Sequence, residues 1–215
     1  MSMKKRLPAL AVMDLDGTLL RGKTSCEVLA ESLGYLDRMR QFEALTLERD
    51  IASARGEMAL WYKDIPLVEL ISSLQSATLA PKAHEGIDLL RQHSIEIAIV
   101  SITWEFIVEY FAKDFGINYY VGTRLTGNGQ IIHFWPRNKS EWVRELSGNL
   151  GIPIKRVAAV GDSKGDVEML KAVRYPVFVG KSLPTELEGV RHIPNGDIVS
   201  VAEWIIEAFG VVARI

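Results

Sequence analysis

The chain has 215 residues, more than one average domain and fewer than two, so a core domain with a smaller module is expected. Its apolar fraction of 48% is typical of globular proteins, and its net charge of −2 argues against an overall basic nucleic-acid-binding surface. Cys26 is the single cysteine, which excludes an internal disulfide and a thiolate zinc cluster and favours a reducing, cytoplasmic setting. No apolar run approaches the length of a membrane span or of a secretory leader.

The N-terminal third combines one strand with a long helical stretch. Residues 7–13 are a continuous apolar run that ends at Asp14, which predicts a buried strand of a parallel sheet. Residues 23–79 carry apolar side chains at helical spacing and are punctuated by Gly56 and Pro66. This stretch is predicted to be helical, without a strand.

From Pro81 onward, helices and strands alternate. Helices are predicted at 83–92, 104–115, from Asn138 onward, 167–173 and 199–209, and strands at 95–101, 157–161 and 176–179. The Asn128-Gly129 pair predicts a hairpin within residues 119–135. The alternation predicts an α/β fold with a doubly wound, mostly parallel sheet. Residues 1–22 and 80–215 would form its discontinuous core, and residues 23–79 an inserted helical cap.

Four acidic residues follow two of the predicted strands. Asp14 and Asp16 follow the first strand, and Asp162 and Asp166 follow the strand at 157–161. Because the carboxyl ends of parallel strands meet at one edge of a sheet, these carboxylates are expected to converge. They repel one another unless a cation compensates, and oxygen ligands without His or Cys favour magnesium over zinc.

A lysine and a serine point to an anion at the same edge. Lys139 is predicted in the first turn of a helix, where the helix dipole disfavours a cation unless an anion lies nearby. Ser101 ends a predicted strand just before a helix start near Thr103, so its hydroxyl and nearby N–H groups are available to that anion. Carboxylates, a metal, a lysine and a hydroxyl together are typical of phosphoryl transfer.

Four ordered segments resemble the motifs of the haloacid dehalogenase superfamily. They are Asp14-Leu-Asp-Gly-Thr-Leu-Leu, Ile99-Val-Ser-Ile-Thr, Lys139 and Gly161-Asp-Ser-Lys-Gly-Asp. The resemblance covers about residues 9–179, and the helical insert and the hairpin resemble the phosphoserine phosphatase-like branch. It implies a Rossmann-like core with a helical cap. It also implies a magnesium-dependent phosphohydrolase that cleaves a small phosphorylated metabolite through an aspartyl phosphate.

The resemblance also implies roles for the acidic residues. Asp14 would be the nucleophile, and Asp16 would protonate the leaving alcohol and later activate water. Magnesium would be held by the side chains of Asp14 and Asp162 and by the backbone carbonyl of Asp16. Asp166 would orient these ligands.

The remaining motif residues would handle the phosphoryl group. Ser101 and the N–H of Ile102 would bind its oxygens, and Lys139 would offset charge between it and the nucleophile. Gly17 and Thr18 would shape the loop after the first strand.

Substrate recognition is expected in the insert. Phosphoserine phosphatases place a glutamate nine positions beyond the nucleophile to bind the substrate ammonium, whereas this chain has Lys23 there, which predicts a more anionic substrate. Arg55 is a candidate ligand for a substrate carboxylate. Met58, Trp61 and Tyr62 are predicted to pack inside the cap.

Three alternatives stay open on the sequence alone. A phosphomutase or phosphotransferase would pass the same covalent phosphoryl group to a sugar, a receiver-type signalling domain would hold it, and a non-catalytic relative would only bind ligand. The expected partner is a small phosphorylated substrate, with neither nucleic acid nor membrane. The chain is expected to be a monomer or a homodimer, with the apolar tail 211–215 docked on the core or on a partner.

Overall fold

A seven-stranded sheet forms the centre of the computed structural model, which describes residues 8–210. The strands within this range are β1 (Ala9–Met13), β2 (Leu20–Arg21), β3 (Thr78–Leu79), β4 (Ile95–Trp104), β5 (Tyr119–Leu125), β6 (Ile131–Ile132), β7 (Val157–Gly161), β8 (Tyr175–Phe178) and β9 (Arg191–His192). The large sheet has the order β6-β5-β4-β1-β7-β8-β9, and its neighbours are parallel except for the antiparallel β5–β6 pair. The predicted mostly parallel α/β fold is confirmed.

Helices cover both faces of this sheet. They are α1 (Ser25–Ser32), α2 (Leu36–Glu43), α3 (Glu48–Tyr62), α4 (Leu67–Ser72), α5 (Ala83–Gln92), α6 (Glu105–Asp114), α7 (Pro136–Asn149), α8 (Val167–Lys171) and α9 (Ile198–Ala208). Helices α5, α6 and α9 pack in one apolar cluster, and α7 and α8 pack in a second. The helices and the sheet therefore form three layers.

Strand β1 lies between the two clusters and explains the continuous apolar run in the sequence. Its five residues are all buried. Ala11 and Met13 join the first cluster, whereas Leu10 and Val12 join the second. A strand with both faces covered needs apolar residues at every position, so no alternation is visible.

The insert between β2 and β3 contains α1 to α4. Met58 and Tyr62 are buried in the same apolar cluster as one face of the large sheet. The Tyr62 ring meets Trp104 edge-on at 5.9 Å between centroids, and Trp61 stacks on Tyr35 at 4.5 Å. Trp61 therefore packs within the insert as predicted, whereas Tyr62 packs on β4 and Met58 also lines a cavity between the insert and the sheet. The division of the chain into a core domain and a cap domain stays a prediction.

Three local predictions differ from the structure. Gly56 lies inside α3 and does not end a helix, because buried neighbours outweigh the roughly 1 kcal/mol that an internal glycine costs. The expectation of no strand in residues 23–79 is wrong, because Thr78–Leu79 pairs antiparallel with Leu20–Arg21. Helix α7 begins two residues before Asn138, whose side-chain oxygen accepts a hydrogen bond from the Trp135 N–H at 2.9 Å.

The predicted hairpin is present as β5 and β6, and Gly129 in its turn has a φ of 81°.

None of the helices within residues 8–210 is long and apolar enough to cross a membrane. The start of the first predicted strand at residue 7 and the apolar tail 211–215 lie outside the described residues.

Candidate active site

The carboxyl ends of the two central strands bring two acids together. Asp14 directly follows β1, and its N–H donates to the carbonyl of Val160 in β7 at 2.9 Å. Asp162 directly follows β7. Both line a cavity of about 460 Å³ that lies between this sheet edge and the insert.

Lys139 reaches this edge from the first turn of α7. Its ammonium lies 2.6 Å from Asp14 Oδ1 and 2.7 Å from Asp166 Oδ1, and its side chain is only 3% exposed. The two carboxylates raise the pKa of Lys139 although burial alone would lower it. The anion that accounts for a lysine in a first helical turn is therefore supplied, in this structure, by the two carboxylates.

Asp166 is held in place by several donors. Its Oδ2 accepts hydrogen bonds from the N–H groups of Asp162 and Ser163 at 3.1 Å each, and from the Ser163 hydroxyl at 3.0 Å. Its Oδ1 accepts from Lys139. Because both oxygens of Asp166 are engaged, it orients Lys139 and the backbone of Asp162.

The acids at this edge can hold a metal ion. Oxygen atoms of Asp14, Asp162 and Asp166 all lie within 4.8 Å of one another. Burial raises the pKa of Asp14 well above its ordinary value, and the charge of Asp166 raises it further. Burial and Asp166 likewise raise the pKa of Asp162 to about 6. Lys139 is one positive charge beside the three carboxylates of Asp14, Asp162 and Asp166. A metal cation would offset the remaining negative charge.

Gly17 is required by the close approach of Asp162. Its φ of +82° lies in the left-handed region, and a Cβ there would come within 2.1 Å of Asp162 Oδ2. The neighbouring Thr18 is fully buried, and its hydroxyl donates to Asp162 Oδ1 at 3.5 Å. The loop after β1 therefore holds Asp162 against Asp14.

Asp16 is anchored to the first helix of the insert. Its Oδ1 accepts from the Ser25 N–H at 2.6 Å, and its Oδ2 accepts from the Ser25 hydroxyl at 2.9 Å. Burial raises the pKa of Asp16, and the bonds from Ser25 lower it. Asp16 thus sits at the junction between the sheet edge and α1.

Buried hydroxyl and thiol groups extend this contact. The Ser25 hydroxyl lies 3.4 Å from the Thr103 hydroxyl, which lies 3.1 Å from the Cys26 thiol. Burial raises the pKa of Cys26, in agreement with an unreactive thiol. Sequence reasoning missed Ser25, although the capping box of Thr24 and Glu27 marks the start of α1, and it gave Thr103 no contact with the insert.

Ser101 lines the cavity but is not at a helix start. It lies within β4, whose pairing with β5 is irregular after Val100, and α6 begins only at Glu105. Ser101 is buried, and its hydroxyl accepts from the Thr103 N–H at 3.3 Å. Ile102 also lines the cavity. The second motif is therefore presented by the irregular stretch of β4 between Val100 and Trp104, and not by a helix terminus.

Arg55 faces the cavity from α3 in a fixed position. Its Nη2 donates to the carbonyls of Ile102 at 2.7 Å and Phe134 at 3.3 Å, and its Nη1 lies 3.2 Å from His133 Nδ1. Its guanidinium stacks 4.7 Å from the Trp135 ring centroid. Burial lowers the pKa of Arg55 to about 10. Arg55 therefore links the insert to the second motif.

Lys23 does not line the cavity, although Gly22 and Thr24 on either side of it do. Its ammonium pairs with Glu31 at 2.5 Å on the exposed side of α1. The proposed contact between Lys23 and substrate, and the more anionic substrate inferred from it, have no support in this geometry. Glu43, which sequence reasoning missed, lines the cavity instead.

The profile of the haloacid dehalogenase-like hydrolases matches residues 11–171, about three quarters of the chain and all four motifs. The chain belongs to this family. The predicted membership is therefore confirmed, and the matched span includes every acidic residue discussed above.

Individual relatives carry phosphatase names. A phosphoglycolate phosphatase of Methanothrix thermoacetophila is 37% identical over 73 residues, which cover 33% of each chain. The phosphoserine phosphatase of Methanocaldococcus jannaschii is 25% identical over 218 residues, covering 95% of this chain and 100% of that one. The matched region covers 33% of the length of the Methanothrix thermoacetophila enzyme. It covers 43% of the length of two further curated relatives, the phosphoserine phosphatases of Mycobacterium tuberculosis and Streptomyces coelicolor.

The fold is also that of solved phosphoserine phosphatases. A substrate-bound phosphoserine phosphatase complex superposes with a TM-score of 0.77 at 18% identity, covering 93% of this chain and 99% of that chain. At this identity, the similarity establishes the shared architecture.

Proposed function

We propose that this protein is a magnesium-dependent phosphohydrolase that cleaves small phosphomonoesters through a phosphoryl group carried on Asp14. The observation that carries the proposal is the placement of Asp14 at the end of β1, on a cavity wall, with Asp162 and Lys139 beside it. Family membership and the phosphatase names of its relatives support the same reaction.

Asp14 is the nucleophile of the proposed reaction. One of its carboxylate oxygens attacks the phosphorus, the bond from phosphorus to the ester oxygen breaks, and Asp16 donates a proton to the departing alcohol. In the second step, Asp16 takes a proton from water, whose oxygen attacks the phosphorus and releases Asp14. Burial raises the pKa of Asp16 and so favours its protonated form, which suits a group that donates a proton to the departing alcohol.

The charges around Asp14 suit an attack on an anion. Lys139 offsets part of the negative charge that nucleophile and phosphoryl oxygens bring together. Ser101 and the backbone at Ile102 line the cavity and would bind phosphoryl oxygens. Asp166 keeps Lys139 in place and touches no reacting atom in this scheme.

The acidic edge fits a magnesium ion. Asp14 and Asp162 would supply its carboxylate ligands, together with the backbone carbonyl of Asp16, and Asp166 would orient Asp162 through its backbone. When bound, the ion supplies electrostatic stabilisation of the phosphoryl oxygens. Burial and the charge of Asp166 both raise the pKa values of Asp14 and Asp162, and a bound cation would favour their ionised forms.

The cavity limits the size of the substrate. A volume of about 460 Å³ suits a small metabolite, because small-molecule sites occupy roughly 300–1,000 Å³. The insert forms its outer wall through α2 and α3, so a macromolecular phosphoester would have to displace that wall.

Release of inorganic phosphate from para-nitrophenyl phosphate tests the proposal. We expect steady turnover with Mg²⁺, loss of turnover on chelation, and no turnover in Asp14→Asn. Addition of sugar acceptors separates a phosphotransferase, which would form a sugar phosphate at the expense of free phosphate. Turnover that survives in Asp14→Asn would contradict the assignment of the nucleophile.

A further inference from the structure

The cavity has two chemically different sides. The sheet edge supplies charged residues, among them Asp14, Lys139 and Asp162. The insert supplies an apolar surface from α2, α3 and the loop between them. We call this surface the insert wall, and its residues are Met39, Phe42, Leu45, Ile51, Ala54 and Met58. A substrate that places its phosphoryl group at Asp14 would lay the rest of its structure against the insert wall.

The sheet continues this apolar surface beside the second motif. Ile102 and Trp104 of β4 also line the cavity, and Trp104 is 2% exposed. Met39, Ala54 and Met58 of the insert wall are buried as well. Contact between such a surface and an apolar ligand group is favourable roughly in proportion to the apolar area that leaves water.

Arg55 is the buried polar residue of the insert at this cavity, and its hydrogen-bonding groups are engaged. Its Nη2 donates to the carbonyls of Ile102 and Phe134, and its Nη1 lies 3.2 Å from His133 Nδ1. The face of the guanidinium stacks on Trp135. A carboxylate or hydroxyl of a substrate would therefore have to compete with these contacts for Arg55.

The other polar residues that the insert adds to the cavity are Thr24 and Glu43, and they bind each other. The Thr24 hydroxyl donates to Glu43 Oε1 at 2.8 Å and accepts from the Glu27 N–H at 3.1 Å. Glu43 is exposed, so its carboxylate keeps contact with water. The buried part of the surface opposite Asp14 is thus apolar, and its polar neighbours already have partners.

We propose that the preferred substrates are phosphomonoesters whose alcohol part is apolar and uncharged, an alkyl or aryl group that packs against the insert wall. The phosphoryl group would lie at Asp14, and the apolar group would extend toward Phe42 and Met58. This inference rests on the proposed phosphatase activity and names its class of substrate. It replaces the expectation, drawn from Lys23, of a more anionic substrate.

A series of n-alkyl phosphates from methyl to hexyl tests the preference through kcat/KM. Each methylene that leaves water should raise kcat/KM by roughly fourfold until the cavity is filled. The gain should appear in KM more than in kcat, because a contact far from the phosphorus stabilises bound substrate and transition state alike.

Esters with polar ends provide the comparison. The ω-hydroxyalkyl, ω-carboxyalkyl and ω-aminoalkyl phosphates of the same length should each have a kcat/KM at least about fivefold below that of the alkyl ester. Their polar ends would lose water against the insert wall without gaining a free hydrogen-bond partner there.

Two leucines in the loop between α2 and α3 form a matched pair of variants. Leu45 is half-buried and lines the cavity, whereas Leu47 is 52% exposed and is not among the lining residues. Leu45→Gln should lower the ratio of kcat/KM for hexyl phosphate to that for methyl phosphate by roughly fourfold or more, the worth of one methylene. Leu47→Gln should keep the wild-type ratio. The ratio does not depend on the fraction of folded protein, because both substrates report on the same active molecules.

Binding of n-alkylphosphonates reads the same preference without turnover, because these compounds lack the ester oxygen that the proposed reaction releases. In titration calorimetry of the wild type with Mg²⁺ present, affinity should rise with chain length. The heat-capacity change of binding should become more negative along the series, as burial of apolar surface requires.

The outcomes distinguish this inference from the proposed function. If kcat/KM does not rise with chain length, or if an ester with a polar end is hydrolysed as well as the alkyl ester, the inference is overturned while the phosphatase stands. If no phosphomonoester is hydrolysed, the proposed function fails, and the dependence of phosphonate affinity on chain length still decides whether the insert wall binds apolar groups.

Discussion

Replacement of Lys139 by methionine tests the buried charge cluster at the sheet edge. The Lys139 side chain is 3% exposed and lies 2.6 Å from Asp14 and 2.7 Å from Asp166. Methionine fills most of the same space but leaves two buried carboxylates without a cation. Loss of one partner from a buried ion pair costs about 3–5 kcal/mol. At roughly 2–4 °C per kcal/mol for a chain of this size, the melting temperature should fall by about 6–20 °C.

The stability that Lys139→Met loses should depend on pH in a defined direction. Lys139 lowers the pKa of Asp14, so its removal raises that pKa further above the unfolded value. A carboxyl whose pKa is raised by folding binds its proton more tightly in the folded state. Its contribution to stability is therefore greatest at low pH and is lost as the pH rises through the folded pKa. The difference in unfolding free energy between the wild type and Lys139→Met should be small in acid and largest at neutral pH.

The assay is urea and thermal unfolding with a chelator present, over a series of pH values. Lys113→Met is a matched control, because Lys113 is 73% exposed and pairs with Glu109 on the surface of α6. It should change stability by no more than about 0.5 kcal/mol. A Lys139→Met deficit below about 1 kcal/mol at neutral pH, or one that grows in acid, would refute the reasoning.

Three further outcomes are expected. Gly17→Ala should weaken activation by Mg²⁺, because its Cβ would displace Asp162, whereas Gly34→Ala, with a φ of +79° and open space around it, should not. Ser25→Ala should slow hydrolysis of alkyl phosphates by about tenfold and that of para-nitrophenyl phosphate far less, because a good leaving group needs no proton from Asp16. Ser32→Ala on the same helix is its control. With chelator, unfolding free energy should fall by about 2–3 kcal/mol between pH 4 and pH 6 as Asp162 loses its proton, and Mg²⁺ should abolish the fall.

The sheet and the acidic edge were predictable from local sequence because each depends on residues that follow a strand directly. The apolar run of β1 gives way at once to Asp14, and that of β7 to Asp162. The parallel order of the strands then brings the two acids together. Lys139 was predictable for a different reason, since a cation in a first helical turn needs a nearby anion.

The insert was harder to predict, because tertiary packing decides which of its side chains face the cavity. Lys23 occupies a promising position in the sequence but pairs with Glu31, eight residues further along, on the outer side of α1. Glu43 carries no motif and reaches the cavity only because α2 ends there. Arg55 was identified from its approximate position, but its contact with the Ile102 carbonyl depends on how α3 packs on β4.

The strand and helix boundaries that failed have local physical causes. Gly56 was interpreted as a break, yet α3 continues through it because Arg55 and Met58 on either side are buried. Ser101 was placed at a strand end, yet β4 continues past it with irregular pairing. Neither packing nor pairing partners can be read from a single short segment.

The covalent intermediate is the central claim, and rapid acid quench during turnover followed by mass spectrometry tests it most directly. We predict that the peptide containing Asp14 and Asp16 gains the mass of one phosphoryl group, that fragmentation places it on Asp14, and that Asp14→Asn shows neither the adduct nor turnover. Steady hydrolysis without a phosphorylated enzyme, or with the phosphoryl group on another residue, would contradict the account.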